Sequence, residues 1–282
     1  MGTLRSPRAE PVAVGMAFSR AAVGLVDELS DVLDYVEYPY ELLSSNPDVV
    51  QRACHGRAIL HSASLSLASG DPPATDLLRS VADIANKISS PWVGEHLAFI
   101  TARPPNGDPG ERFDVGYAVS PPMTAEIIDI VSEALAATKS VIERPLILEN
   151  SPIYLPLPGA NMSQGQVIRE ICRQSDVGVL MDLAHLRITC DTFSLDPTSA
   201  LLEFPVEKIV EVHLSGVTSI DDRLWDDHSG VPDVIQYDLL RIVLDRSPVC
   251  AITHEYNWAP GFPADVARRQ LDRTFEILAG AT

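Results

Sequence analysis

The chain alternates between two hydrophobic patterns. Short apolar, β-branched runs bounded by turn residues recur eight times: PVAVGMAF near residue 15, DYVEYPY near 37, RAILHS near 60, WVGEHLAF near 95, PLILEN near 147, VGVLMD near 180, IVEVHLSG near 212 and VCAITHEY near 252. Between them, helical spacing predicts helices over 21–33, 47–54, 75–88, 124–141, 164–173, 197–203, 234–244 and 263–278. Asn46 before Pro47, and Ser163 ahead of the run into Val167, supply helix-start chemistry.

Strand and helix in strict alternation mean parallel strands joined by crossovers, and runs as apolar as PLILE and VGVLM suit strands covered on both faces. The expected fold class is therefore α/β, a (β/α)8 TIM barrel forming a single domain over 1–282, with residues 1–11 as a flexible N-terminal extension. A doubly wound open sheet is the structural alternative, but no GxGxxG or Walker A sequence supports its nucleotide-binding version. The strand interval widens after Trp92, where ITARPPNGDPGERFDVGYAVSPP reads as a long loop on the active-site face, either a substrate lid or a passive insertion.

With 46% hydrophobic and 21% charged residues the composition is that of an ordinary globular protein. A formal net charge of -18 argues against a nucleic-acid partner; it serves solubility, or steers a cationic substrate or peptide. Cys54, Cys172, Cys190 and Cys250 show no close spacing, so neither a disulfide framework nor a thiolate metal site is expected, and the compartment is a reducing one. The N-terminus has no long apolar stretch before a small-residue cleavage site, and nowhere are there about 18 consecutive apolar residues. A cytoplasmic protein with no membrane partner is the expectation.

The chemistry is carried by position. Run after run ends in a metal-capable residue: His61, His96, Glu149, Asp182, His213 and Glu255. One such residue is readily a hydrogen-bonded structural group, but several converging around a barrel axis destabilise the fold unless a cation compensates them. His185 follows Asp182 in MDLAH, and WDDHSG adds Asp226, Asp227 and His228 after the seventh strand, both read as loops; Asp226 is preferred, though the sequence does not separate it from Asp227. Imidazoles and carboxylates without clustered Cys suit Fe, Mn or Zn, and the set is too large for one ion. About two or three metals, with Glu149 or Glu255 as bridges, account for it. No catalytic residue is singled out beyond these ligands. His55 reads as a helix-end residue, and His254, which neighbours Glu255 on one strand, must face the other way. No Gly-x-Ser-x-Gly elbow supports a serine hydrolase.

Taken in order, HSASLSLAS, GEHLAF, LILENSPIY, LMDLAH, EVHLSG, DDHSG and HEYN resemble the multinuclear non-haem iron-dependent oxidases, the family that includes the methanobactin-biosynthesis oxidase. The resemblance runs from about Val14 to the final helix. It places the family's metal-ligand pattern on His61, His96, Glu149, Asp182, His185, His213, Asp226, His228 and Glu255, and matches a further Glu of the second-strand region to Glu41. Ser62 and Ala68 stand where relatives often have Gly, Asn257 where many have Asp, and ITCDTF lacks a common Asn-His-Gly, which marks a divergent branch. The resemblance implies an iron centre of two or three ions, oxidation by dioxygen of a cysteine in a ribosomally made precursor peptide, and a separate peptide-recognition partner protein. The rivals are a xylose-isomerase-like, metal-dependent hydrolase or isomerase acting on a small molecule, and a non-catalytic metal-dependent peptide binder.

Overall fold

Each of the eight apolar runs forms a strand, and the strands close into one parallel barrel. The structure, a computed structural model, describes residues 11–102, 104, 108, 111–256 and 263–280. In chain order its strands are β1 (Ala13–Ala17), β2 (Tyr35–Pro39), β3 (Ala58–Ser62), β4 (Val93–His96), β5 (Phe99–Ala102), β6 (Phe113–Val119), β7 (Leu146–Glu149), β8 (Gly178–Asp182), β9 (Ile209–Leu214), β10 (Thr218–Ile220), β11 (Arg223–Trp225) and β12 (Ala251–His254). Around the barrel the order is β1-β12-β9-β8-β7-β4-β3-β2. The pairing of β12 with β1, Ala13 beside Ala251, closes the ring and removes the open-sheet alternative.

The helices follow the predicted starts where capping chemistry is present. Asn46 Oδ1 accepts from the backbone N–H of Asp48 at 3.1 Å, and Pro47–Cys54 is helical as expected. Ser163 and Gln166 form a reciprocal capping box at the head of Gln164–Ser175. The first predicted helix shortens to Val23–Glu28 and continues as turns. Two further helices, Tyr40–Ser45 and Leu183–Phe193, leave strand ends directly, with no run of turn residues between strand and helix. In the second, Leu183, Ala184, Leu186, Ile188 and Cys190 are all buried, so most of its length lacks the polar face that marks a surface helix in sequence.

The long segment after β4 carries structure of its own: β5 and β6 pair antiparallel as a ribbon on the C-terminal side of the barrel, and β10 with β11 make a second ribbon after β9. Residues 103, 105–107 and 109–110 of the first, like residues 1–10 of the expected N-terminal extension, lie outside the described residues. Among the described residues no helix is long and apolar enough to cross a membrane.

Register is what assembles the site. Parallel pairing sets His96 beside Glu149, and Asp182 beside His213, at the C-terminal rim of the barrel. β7 and β12 are buried along their whole length, so the polar ends of their apolar runs are held in the protein rather than in water.

Candidate metal centre

Glu149 is the hub of the rim. Its Oε2 lies 2.8 Å from His61 Nε2 and 3.0 Å from His96 Nε2, and its Oε1 lies 3.2 Å from His185 Nδ1. Gly94, two residues before His96, makes this possible, since a Cβ there would come within 2.7 Å of His61 Cδ2. On the next strand Asp182 has a double role. Its Oδ1 caps the helix Leu183–Phe193 by accepting from the backbone N–H of His185 at 2.6 Å, which leaves Oδ2 facing the centre. His185 therefore stands on the first turn of a helix and not in a loop, as the sequence reading had it. Asn150 ties the two strand ends together, donating to Asp182 O at 2.9 Å and accepting from Asp182 N at 2.8 Å.

The remaining expected groups arrive from β9, β12 and the loop beyond β11. His213 Nδ1 is 3.3 Å from Glu255 Oε2 and 4.0 Å from Asp182 Oδ2. Asp226 Oδ2 reaches His185 Nε2 at 2.9 Å and His228 Nε2 at 3.4 Å. His228 adopts a left-handed backbone, φ 50°, and its Nδ1 lies 3.7 Å from Glu255. Asp227 turns away, accepting from Thr218 Oγ1 at 2.8 Å and from Ser229 N at 3.1 Å, so only Asp226 of the pair joins the cluster. All nine residues predicted from the sequence thus meet at one place. His254 points the other way, its Nε2 3.0 Å from Thr274 Oγ1 of the last helix, and burial pushes its imidazole down to about 4. Asn257, the expected departure from the family pattern, lies outside the described residues.

Sequence reasoning missed a layer beneath the rim. Glu37, mid-strand on β2, is buried with Oε2 3.2 Å from His213 Nε2 and Oε1 3.8 Å from His61 Nδ1. Glu211 on β9 accepts from Thr253 Oγ1 at 2.7 Å and from Trp92 Nε1 at 2.7 Å. A signal was available: Glu37 and Glu211, like Glu95, interrupt runs that are otherwise largely apolar or aromatic. The motif match favoured Glu41 instead, which lies exposed on Tyr40–Ser45 and holds the loop after β3 by accepting from Ala63 N at 3.0 Å.

Burial penalises every charge here, and opposite charges answer it. For His61 burial opposes protonation, but Glu149 and Glu37 outweigh it and push the imidazole up to about 10. His185 and His213 are likewise driven well above the usual range, against burial, by Asp182 with Asp226 and by Glu37 with Glu255. Glu149 goes the opposite way, held well below the carboxylate range by His96 and His61 despite its burial. Asp182 is pushed up to about 7 by burial and by the neighbouring carboxylates, which prevail over His185. Without an ion, protons on His61, His185 and His213 supply positive charge to this ring of carboxylates, whereas burial lowers His96.

Four atoms of the cluster are buried with no hydrogen-bond partner: Asp182 Oδ2, His213 Nδ1, Asp226 Oδ1 and His228 Nδ1. Such atoms are expensive unless something else satisfies them. Among the described residues, groups that could hold an ion, with atoms mutually within 4.8 Å, are His61–His96–Glu149, Glu149–Asp182–His185 and Asp182–His213–Glu255, with Glu37–Glu211–His213 below them. The first and second share Glu149 and the second and third share Asp182, an arrangement suited to adjacent ions. The donor set is nitrogen and oxygen only, which fits iron, manganese or zinc. A cavity of about 720 Å³ at the opposite end of the barrel, lined by Tyr35, Arg57 and Trp92 among others, contains none of these groups.

A barrel with this rim has known relatives. The family model of the RiPP precursor modification enzymes MbnB/TglH/ChrH, which act on ribosomally made peptides, matches residues 14–261. The chain belongs to this family. The MbnB/TglH/ChrH match spans every strand of the barrel from β1 to β12 and bears out the resemblance drawn from the rim motifs. Among curated relatives, a UPF0276 protein of Caulobacter vibrioides is 28% identical over 215 residues, covering 76% of this chain and 73% of its own. A UPF0276 protein of Streptomyces avermitilis is 31% identical over 194 residues, 66% of this chain and 38% of its own. Among solved structures, a D-tagatose 3-epimerase-like protein superposes with a TM-score of 0.62 at 15% identity, covering 95% of this chain and 99% of its own. A xylose isomerase domain containing protein from Salmonella typhimurium LT2 gives a TM-score of 0.59 at 13% identity over 96% and 98%. At such identities these structures establish the TIM barrel and nothing further about chemistry.

Proposed function

We propose that this MbnB/TglH/ChrH family member is a non-haem iron oxidase that uses dioxygen to modify a residue, cysteine, of a ribosomally made precursor peptide. The observation that carries the reading is the rim cluster with its four unsatisfied buried atoms, in a chain matched by a family of peptide-modifying enzymes. About two or three iron ions are assigned to it, held by His61, His96 and Glu149, by Glu149, Asp182 and His185 with Asp226, and by Asp182, His213 and Glu255 with His228. When bound, iron supplies a thiolate-binding Lewis acid and the electrons that dioxygen chemistry requires.

The protein's own part is positioning. Glu149 is paired with His96 on β4 and Asp182 with His213 on β9, so the adjacent strands β7 and β8 bring neighbouring groups together. His185 Nδ1 donates to Asn150 O at 2.9 Å, which fixes its ring and leaves Nε2 for the centre. The ribbons β5–β6 and β10–β11 rise on the site side, and exposed Phe113, Tyr117, Ile220 and Trp225 offer apolar surface for a peptide at the mouth. A separate peptide-recognition partner protein belongs to the same proposal, as does a cytoplasmic location.

The test is oxygen uptake by iron-loaded protein with a cysteine-containing candidate precursor peptide, followed by the peptide's mass. Iron-dependent uptake with a mass change confined to a cysteine-containing fragment is expected. Activity with zinc alone, without oxygen, overturns the oxidase and favours the hydrolase or isomerase reading.

A further inference from the structure

His213 has two distinct nitrogen environments. Nδ1 faces Asp182 and Glu255 and lacks a hydrogen bond, whereas Nε2 faces down the barrel to Glu37 Oε2 at 3.2 Å. A ring with one nitrogen committed to a carboxylate presents the other as a lone pair, which is how metal-binding imidazoles are commonly held. Glu37 Oε2 also lies 3.4 Å from Thr253 Oγ1, whose one hydroxyl proton goes to Glu211 at 2.7 Å while its oxygen accepts from Tyr35 OH at 2.7 Å. Glu211 is anchored by the Trp92 indole at 2.7 Å. Glu37, Tyr35, Glu211 and Thr253 are buried mid-barrel, and a rotation of the His213 ring would break its bond to Glu37.

We infer that Glu37 is a positioning residue, which holds His213 with Nδ1 turned to the metal and Nε2–H donated to the barrel floor. The same carboxylate lies 3.8 Å from His61 Nδ1, and the His61 and His213 rings meet edge to face with centroids 5.3 Å apart. Glu37 thus stands between imidazoles of two different ligand groups, bonded to one and attracting the other by charge alone. The alternative, an ion on Glu37, Glu211 and His213 Nε2, would commit Nε2 to that ion and leave Nδ1 to Glu255 at 3.3 Å, so that His213 would no longer serve the rim. This inference rests on the rim cluster binding metal.

The experiment is cobalt(II) titration of the metal-depleted full chain, followed by its visible absorption, for the wild type, Glu37→Gln, His213→Ala and the double variant. Glu37→Gln is expected to weaken one class of ion about 10- to 100-fold, the range for loss of a ligand's carboxylate partner, and to leave another class nearly unchanged. In the His213→Ala background the same change is expected to add little, because Glu37 acts through that ring. Equal loss in both backgrounds, or no loss in the first, overturns the inference. If Glu37→Gln does not fold, the wild type decides: cobalt-loaded protein is expected to show a hyperfine-shifted, slowly exchanging ring N–H from His213, assigned by selective histidine labelling. Rapid exchange of that proton, or its absence in a loaded site, overturns the inference as well. Failure of the wild type to bind cobalt at all contradicts instead the metal reading on which it rests.

Discussion

Gly94 shows how finely the rim is fitted. With its absent Cβ replaced by the His61 ring, Gly94→Ala must displace either the β4 backbone or the imidazole, and the imidazole is the softer of the two. We expect the variant to remain folded, losing about 1–3 kcal/mol, but to retain less metal after dialysis than the wild type. Full metal retention with an unshifted melting curve would contradict this placement of His61. In the sequence Gly94 was only a residue of an apolar run, since a requirement for empty space appears only when a neighbouring strand is in place. His61, His96 and Glu149 were legible because each ends such a run. Glu37 was visible only as a charge inside an apolar run, and its role stayed hidden until its partner on β9 was known.

Among elements, the loop that bears Asp226 and His228 is held at its neck. Gly216 N donates to Gly230 O at 3.2 Å, and a Cβ on Gly216 would come within 2.0 Å of the Gly230 carbonyl carbon. Two backbones this close cannot yield as a flexible side chain can. Gly216→Ala should therefore open the neck, withdraw Asp226 from His185, and make residues 217–230 more sensitive to protease, while ions held by His61, His96 and Glu149 stay bound. Unchanged proteolysis together with unchanged metal affinity would show that the neck does not position the loop. The loop's candidate ligands were visible in WDDHSG as a motif, but two adjacent aspartates are chemically equivalent in a sequence; hydrogen bonds to Thr218 and Ser229 separate them only in the fold. The helix Leu183–Phe193 stayed hidden for the opposite reason, since burial erased its amphipathic pattern.

For the whole molecule, the alternation of runs was enough to predict the barrel, because eight crossover units leave little else to build, and closure through β1 and β12 was the part that needed the structure. Function was legible to the level of family only through the resemblance of the ordered rim motifs; composition and spacing alone reached no further than a cluster of metal-capable residues. The central claim is that the barrel's rim is a metal centre whose imidazole protons stand in for cations until metal arrives. Ions must then displace protons from groups such as His61, which holds its proton up to about 10 without metal, so affinity rises with pH and falls in acid. The measurement that tests this most directly is metal bound per chain after anaerobic iron loading, made between about pH 6 and about pH 8, alongside Glu149→Gln. The account predicts about two or three ions per chain near pH 8, fewer near pH 6, and a marked loss in the variant that removes the shared carboxylate. Less than one ion per chain at every pH, or the same loading without Glu149, would contradict it.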